Sequence, residues 1–235
     1  VGGYLATFSL SLPVLYTFIP ISIVLILTFF LEEPKYEKED HKNIIKHMFE
    51  SSKVIIKNNQ LIILFAAGFI LWGFGESMHR LNSLFFEFKN IPILYFGVIS
   101  AFLFGFSSIG HYFSHDVSKK IGDKKTLIFC TTGTALFILI ATLTDHYVSI
   151  IFWAVPSVFF GLRNPIIDHL INIDTESRKR ATVMSSYSFI TRIGMAVVIP
   201  FIGYFAELYT INAAFRISAL LVFIVPVLYL GIKEK

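Results

Sequence analysis

Glu76, His79 and Arg80 follow one another at i, i+3 and i+4 inside an apolar stretch. On a helix that spacing places the three side chains side by side. An ionisable side chain within a membrane-spanning segment is expensive to keep there and points to function. The chemistry it offers is a proton or substrate site, a carboxylate whose proton affinity is set by a neighbouring imidazole and guanidinium. The competing reading is a rim ion cluster that marks where the helix surfaces. Arg163 lies in the middle of another apolar stretch, followed by Asn164 and Pro165. Gly161 and Pro165 flank it and are expected to break the helix and free carbonyls. Arg163 then either binds an anionic substrate or counters a buried acid, or it closes a gate as a salt bridge.

Arg192 sits 12 residues beyond Arg180, about 18 Å into its own stretch at about 1.5 Å per residue. That depth calls for a partner or a wet cavity, and the partner is expected outside this chain. Asp168 is expected to pair with Lys119, Lys120 or Arg178 when the inner side is closed. With Asp116, these residues form the candidate inner gate. His111 and His115 have metal-ligand spacing, but no third ligand accompanies them, and no metal site or cofactor is assigned. There is no glycine-rich run ending in Gly-Lys-Ser or Gly-Lys-Thr, no serine elbow and no zinc signature. This argues against an ATP-driven pump and against a membrane enzyme.

These residues must be held by something, and composition says what. The 235 residues are 55% apolar and 15% charged, with a mean hydropathy of +0.70 and 26 phenylalanines. Soluble domains carry roughly 25% charged residues. Disorder, a coiled coil and a nucleic-acid module are excluded, leaving a polytopic membrane protein. The single cysteine excludes an internal disulfide framework.

The net charge of +4 is a topology signal. Fifteen of the 20 Lys and Arg fall in four clusters, within 32–58, 119–125, 178–180 and 233–235. Two apolar segments separate each cluster from the next, which returns every cluster to one face. The positive-inside rule makes that face cytoplasmic, with the 32–59 loop and the C-terminus on it.

A helical span needs about 20 apolar residues. Seven segments qualify: Val14–Leu31, Gln60–Phe86, Ile91–Phe113, Thr126–Leu143, Val148–Ile171, Ala181–Phe205 and Ile211–Ile232. Val1–Ser9 reads as the outer end of an eighth. The polar loop carries Ile44, Ile45, Met48 and Phe49 on one helical face, which predicts an amphipathic helix on the inner membrane surface. Gly3-Tyr4-Leu5-Ala6 is echoed by Gly203-Tyr204-Phe205-Ala206, about 200 residues later. With the matching topology, the echo suggests two parallel repeats.

Several motifs now carry a resemblance. Leu31-Glu32-Glu33-Pro34 closes a helix before the long inner loop. The stretch 115–125 contains Val117, Ser118, Lys120, Gly122 and Lys124 in the spacing of a loop signature between even and odd helices. Departures are His115 for a glycine, Lys119 for an aspartate and Asp123 for a base. Gly161-Leu162-Arg163-Asn164-Pro165, then Asn172, then Arg178–Arg180 with Ala181-Thr182-Val183 form a third block. Together they resemble the major facilitator superfamily, from the end of its fifth helix to its twelfth. The third block is similar to drug-exporter-like members.

The resemblance implies an all-α, polytopic transmembrane bundle of the major-facilitator type, holding seven spans plus the end of another. Residues 1–31 would end an N-terminal bundle, 32–59 would be the cytoplasmic central loop, and 60–235 would form a C-terminal six-helix bundle. The N-terminal half would then lie largely upstream and supply part of the site. The expected function is secondary active, proton-coupled export of small apolar or cationic compounds from the cell by alternating access. The candidate pathway residues are Glu76, His79, Arg80, Arg163, Asn164 and Arg192. The alternatives are an uptake carrier for a sugar, nucleoside or small anion, and a transport-inactive membrane sensor or scaffold. The expected partners are a small-molecule substrate, a proton and membrane lipid, with no nucleic acid. The expected location is the plasma membrane.

Overall fold

The structure is a computed structural model that describes residues 2–31 and 54–233. The amphipathic helix expected around Ile44–Phe49 lies outside the described residues. Among those described, seven helical segments are long and apolar enough to cross a membrane: Ser11–Thr28, Asn59–Arg80, Ile93–Ile121, Asp123–Leu143, His146–Ile173, Ser177–Leu208 and Ile211–Tyr229. They are called the first to seventh spans below.

Local chemistry sets the ends. Asn58 starts the second span by accepting from the backbone N–H of Gln60 at 2.9 Å and of Leu61 at 3.3 Å. Thr210 caps the seventh span by accepting from Ala213 N–H at 3.1 Å. Gly122 joins the third and fourth spans at φ 89°, ψ 152°, a conformation open essentially to glycine alone. Lys119 and Lys120 lie in the last turn before it and Asp123 in the first turn after it. Each charge complements its helix dipole. Lys124 Nζ reaches back to Leu230 O at 2.7 Å and caps the end of the seventh span.

The fifth span packs along the third and the fourth. The sixth packs along the second and the seventh, and the seventh lies against the fourth. Small residues permit the closest approaches. Gly110 of the third span and Gly161 of the fifth abut, each against backbone atoms of the other helix. Gly194 of the sixth lies on the backbone of Phe69 and Gly73 of the second. The core between the helices is aromatic toward one end. The rings of Phe85, Trp153 and Phe215 stack with centroids 4.7 to 5.5 Å apart. Large apolar side chains on the outer faces, such as Phe102, Phe129 and Phe189, are exposed, as suits a bundle immersed in hydrocarbon.

The first and seventh spans are interrupted at Thr17 and Phe223, three residues before Pro20 and Pro226, but proline does not place every irregularity. The fifth span runs unbroken from His146 to Ile173 through Pro156 and Pro165, so the expected break around Arg163 does not occur. Ser114 Oγ donates to Leu162 O at 2.7 Å, beside the carbonyl that Pro165 leaves without its helical donor. An irregular stretch without a proline is Leu71–Glu76, a π-helical segment within the second span.

Candidate functional site

The π segment reads Leu-Trp-Gly-Phe-Gly-Glu and ends on Glu76. A π turn fits an extra residue into a helix and recurs at functional sites. Gly73 is the packing contact that the sixth span needs here: a Cβ on it would meet Val198 Cγ2 at 3.1 Å and Gly194 O at 3.3 Å. One turn further on come His79 and Arg80, and the Arg80 guanidinium lies 3.7 Å from the Glu76 carboxylate.

Glu76, His79 and Arg80 line one cavity of about 400 Å³ together with Arg163. The wall is completed by Trp153, Phe104 and Phe160 and by three hydroxyls, Ser107, Thr134 and Ser157. This volume falls in the roughly 300–1,000 Å³ range of small-molecule sites. Arg163 is only 3% exposed, and its Nε–H has no hydrogen-bond partner among the described residues. Its guanidinium lies over the Phe160 ring, 5.3 Å from the centroid, a cation–π contact. A buried guanidinium without a bonded anion is costly unless something else compensates it. The carboxylate of this cavity is Glu76, which Arg80 already engages.

A second cavity, of about 270 Å³, lies between the second, fifth and sixth spans. Asn164, Asp168 and Arg192 line it, with Trp72, Tyr187 and again Arg80. Arg80 is thus common to both cavities, whereas Arg163 and Arg192 line different ones. The acid that shares the Arg192 cavity is Asp168.

Among the described residues, no ion pair joins Asp168 to Lys119, Lys120 or Arg178. The gate pairing expected for a closed inner side is therefore not made in this structure. Lys119 lines a third cavity at the turn between the third and fourth spans. Lys120, Asp116 and Arg178 are exposed on the same end of the bundle.

Two features escaped the sequence. The hydroxyls of the first cavity are one, and only Thr134, within Thr131-Thr132-Gly133-Thr134, gave a visible cluster. The other is Lys89, which is 4% exposed in the turn after residue 88. Its Nζ donates to Thr144 O at 2.5 Å and lies 3.7 Å from the Asp145 carboxylate. Nearby, Arg216 and Asn212 donate to Thr142 O at 3.3 and 2.9 Å. These contacts tie two connections and the start of the seventh span together at one end of the bundle.

Seven apolar spans, six of them packed around charged cavities, define an integral membrane protein. The chain belongs to the Major Facilitator Superfamily, whose sequence profile matches residues 1–162 and 90–235. A comparison with curated proteins finds no match. Among solved structures, the fold is similar to a crystal structure of the E. coli fucose:proton symporter FucP. The TM-score is 0.65 at 18% identity, covering 95% of this chain and 57% of that one. The chain thus spans little more than half the length of that protein. The match corrects one expectation. The solved relative is a sugar:proton symporter, so export of apolar or cationic compounds, and the drug-exporter likeness with it, gives way to the alternative of a solute carrier.

Proposed function

We propose that this chain is part of a proton-coupled secondary carrier that takes up a small, neutral, hydroxyl-rich solute of the sugar class. The observation that carries the reading is the content of the first cavity. Trp153 and Phe160 line it with aromatic surface, Ser107, Thr134 and Ser157 offer hydroxyls, and Arg163 offers an unpartnered N–H donor. An apolar wall with a few placed polar groups suits a sugar ring and its hydroxyls. Arg163 and Arg192 line separate cavities, which disfavours a paired-arginine clamp for an anion. The printed name of the FucP structure supports a sugar and a proton as the co-substrates.

Glu76 is the proposed proton site. Protonation would remove its attraction for Arg80 and lower the cost of occluding the cavity. Arg80 would then be free to swing toward Asp168 on its other side. Residues 60–235 would form one six-helix half that rocks against a second half, of which residues 1–31 are the end. The 32–59 loop, Lys119, Lys120 and Arg178 would face the cytoplasm of a cell whose plasma membrane holds the protein.

The test is proton flux in proteoliposomes bearing the full-length protein. Monosaccharides, nucleosides and monocarboxylates are added one at a time, with internal pH recorded. The expected result is internal acidification on addition of a monosaccharide, abolished by Glu76→Gln. Solute-driven movement of protons in the opposite sense would sink symport. Coupled flux surviving Glu76→Gln would sink Glu76 as the carrier. No flux with any solute would favour the scaffold reading.

A further inference from the structure

The third cavity is separate from the two that hold the pathway candidates and from the contacts of Lys89. It measures about 660 Å³ and opens at the junction of the third and fourth spans, beside the end of the seventh. Lys119, Lys124, Lys125 and Lys233 line it, with His115 and His169. Among the described residues, the one carboxylate in its wall is Asp123, which accepts a hydrogen bond from Ser118 Oγ. The described lining therefore carries three net positive charges with the imidazoles neutral, and its acid is already engaged. Pro165, Ile166, Leu170 and Ile121 supply an apolar floor and edge. Four lysines converging on one concavity repel one another, and a bound anion relieves that repulsion. An apolar floor under a cationic rim, at the end of a hydrocarbon-spanning helix, matches a phosphate held where acyl chains begin.

We propose that this pocket binds a phosphate anion on the basic face of the bundle, supplied by the headgroup of an acidic phospholipid or by free phosphate. Three lysines are free to contact it. The fourth, Lys124, is committed to Leu230 O and serves mainly as fixed charge. Occupancy would link the 119–125 turn to the end of the seventh span.

The experiment is thermal unfolding of the purified full-length protein in neutral detergent. Three probes are compared: dioctanoyl phosphatidylglycerol, dioctanoyl phosphatidylcholine and inorganic phosphate. The expected result is a melting temperature raised by about 5 °C at about one hundred times the dissociation constant of phosphatidylglycerol. Phosphatidylcholine, whose charge is balanced, should do little, and added salt should erase the shift. A shift with phosphatidylglycerol alone assigns the source to lipid. An equal shift with inorganic phosphate assigns it to the free anion. Lys119→Gln/Lys125→Gln/Lys233→Gln should abolish the shift, and arginine at the same three positions should keep it. The proposal is overturned if neither anion shifts the transition, or if the glutamine variant responds like the parent.

Discussion

Gly110 and Gly161 meet back to back where the third and fifth spans cross. A methyl group on Gly161 would run into Ser107 O, and His111 N would lie at 2.8 Å; one on Gly110 would run into Val158 O, with Leu162 N at 2.9 Å. The obstacles are backbone atoms, which cannot turn aside as a side chain can. The crossing sits one turn from Arg163 and Ser107, so the spacing of these two helices also sets the width of the first cavity.

Gly161→Ala should therefore destabilise the bundle by about 1–3 kcal/mol, the range for overpacking a filled contact. Gly105→Ala in the third span, where a Cβ meets nothing within 4 Å, should be neutral or gain up to about 1 kcal/mol from helix propensity. Melting temperatures in detergent decide it, and equal effects at the two glycines would refute the contact.

Arg163 gives a prediction of opposite sign. Its guanidinium is buried with an unpartnered Nε–H, so the fold gains little from its charge. Arg163→Met should leave the melting temperature unchanged or higher, while solute-coupled flux falls at least about tenfold, the effect of losing roughly 1.4 kcal/mol of contact. A variant that melts several degrees lower yet still transports would mean that the arginine is structural.

Lys89 makes its end of the bundle sensitive to alkali. Burial holds its ammonium below the ordinary lysine value of 10.5, with Asp145 opposing the shift. Between the lowered value and 10.5 the folded protein has released a proton that the unfolded chain still holds. Stability contributed at this site is therefore lowest while both states are charged and rises with pH across that window. Chemical denaturation from pH 8 upward should show the rise in the parent and a flatter profile in Lys89→Met.

The junction at Gly122 should tolerate no side chain. At φ 89° and ψ 152°, Gly122→Ala should cost about 1–3 kcal/mol. A melting temperature equal to the parent's would show that the turn relaxes freely.

The spans were legible because a bilayer fixes how long an apolar run must be. Their ends were less so. The third span continues helically past Phe113 to Ile121, since hydropathy measures hydrocarbon and not helix. The segment taken to Phe86 divides at Leu81, where φ is −95° and ψ 13°. The Glu76–His79–Arg80 grouping could be read because it is local in sequence. The placing of Arg163 and Arg192 in different cavities depends on how three helices cross, which no single segment encodes. The likeness to exporters rested on short blocks such as Gly161–Pro165, in which Gly161 serves helix packing and no residue by its type alone distinguishes export from uptake.

The π segment has a consequence in counting. A π turn closes on i→i+5 bonds, so the surplus residue between Leu71 and Glu76 is taken up in a widened turn and the helix beyond it keeps its face. An α-helix turns about 100° per residue. A residue deleted within this segment would therefore leave the carboxylate near its present azimuth, whereas one deleted from the regular turns before it would swing the carboxylate by more than a quarter-turn. The aim of the ionisable cluster thus tolerates a change of length only inside the π segment.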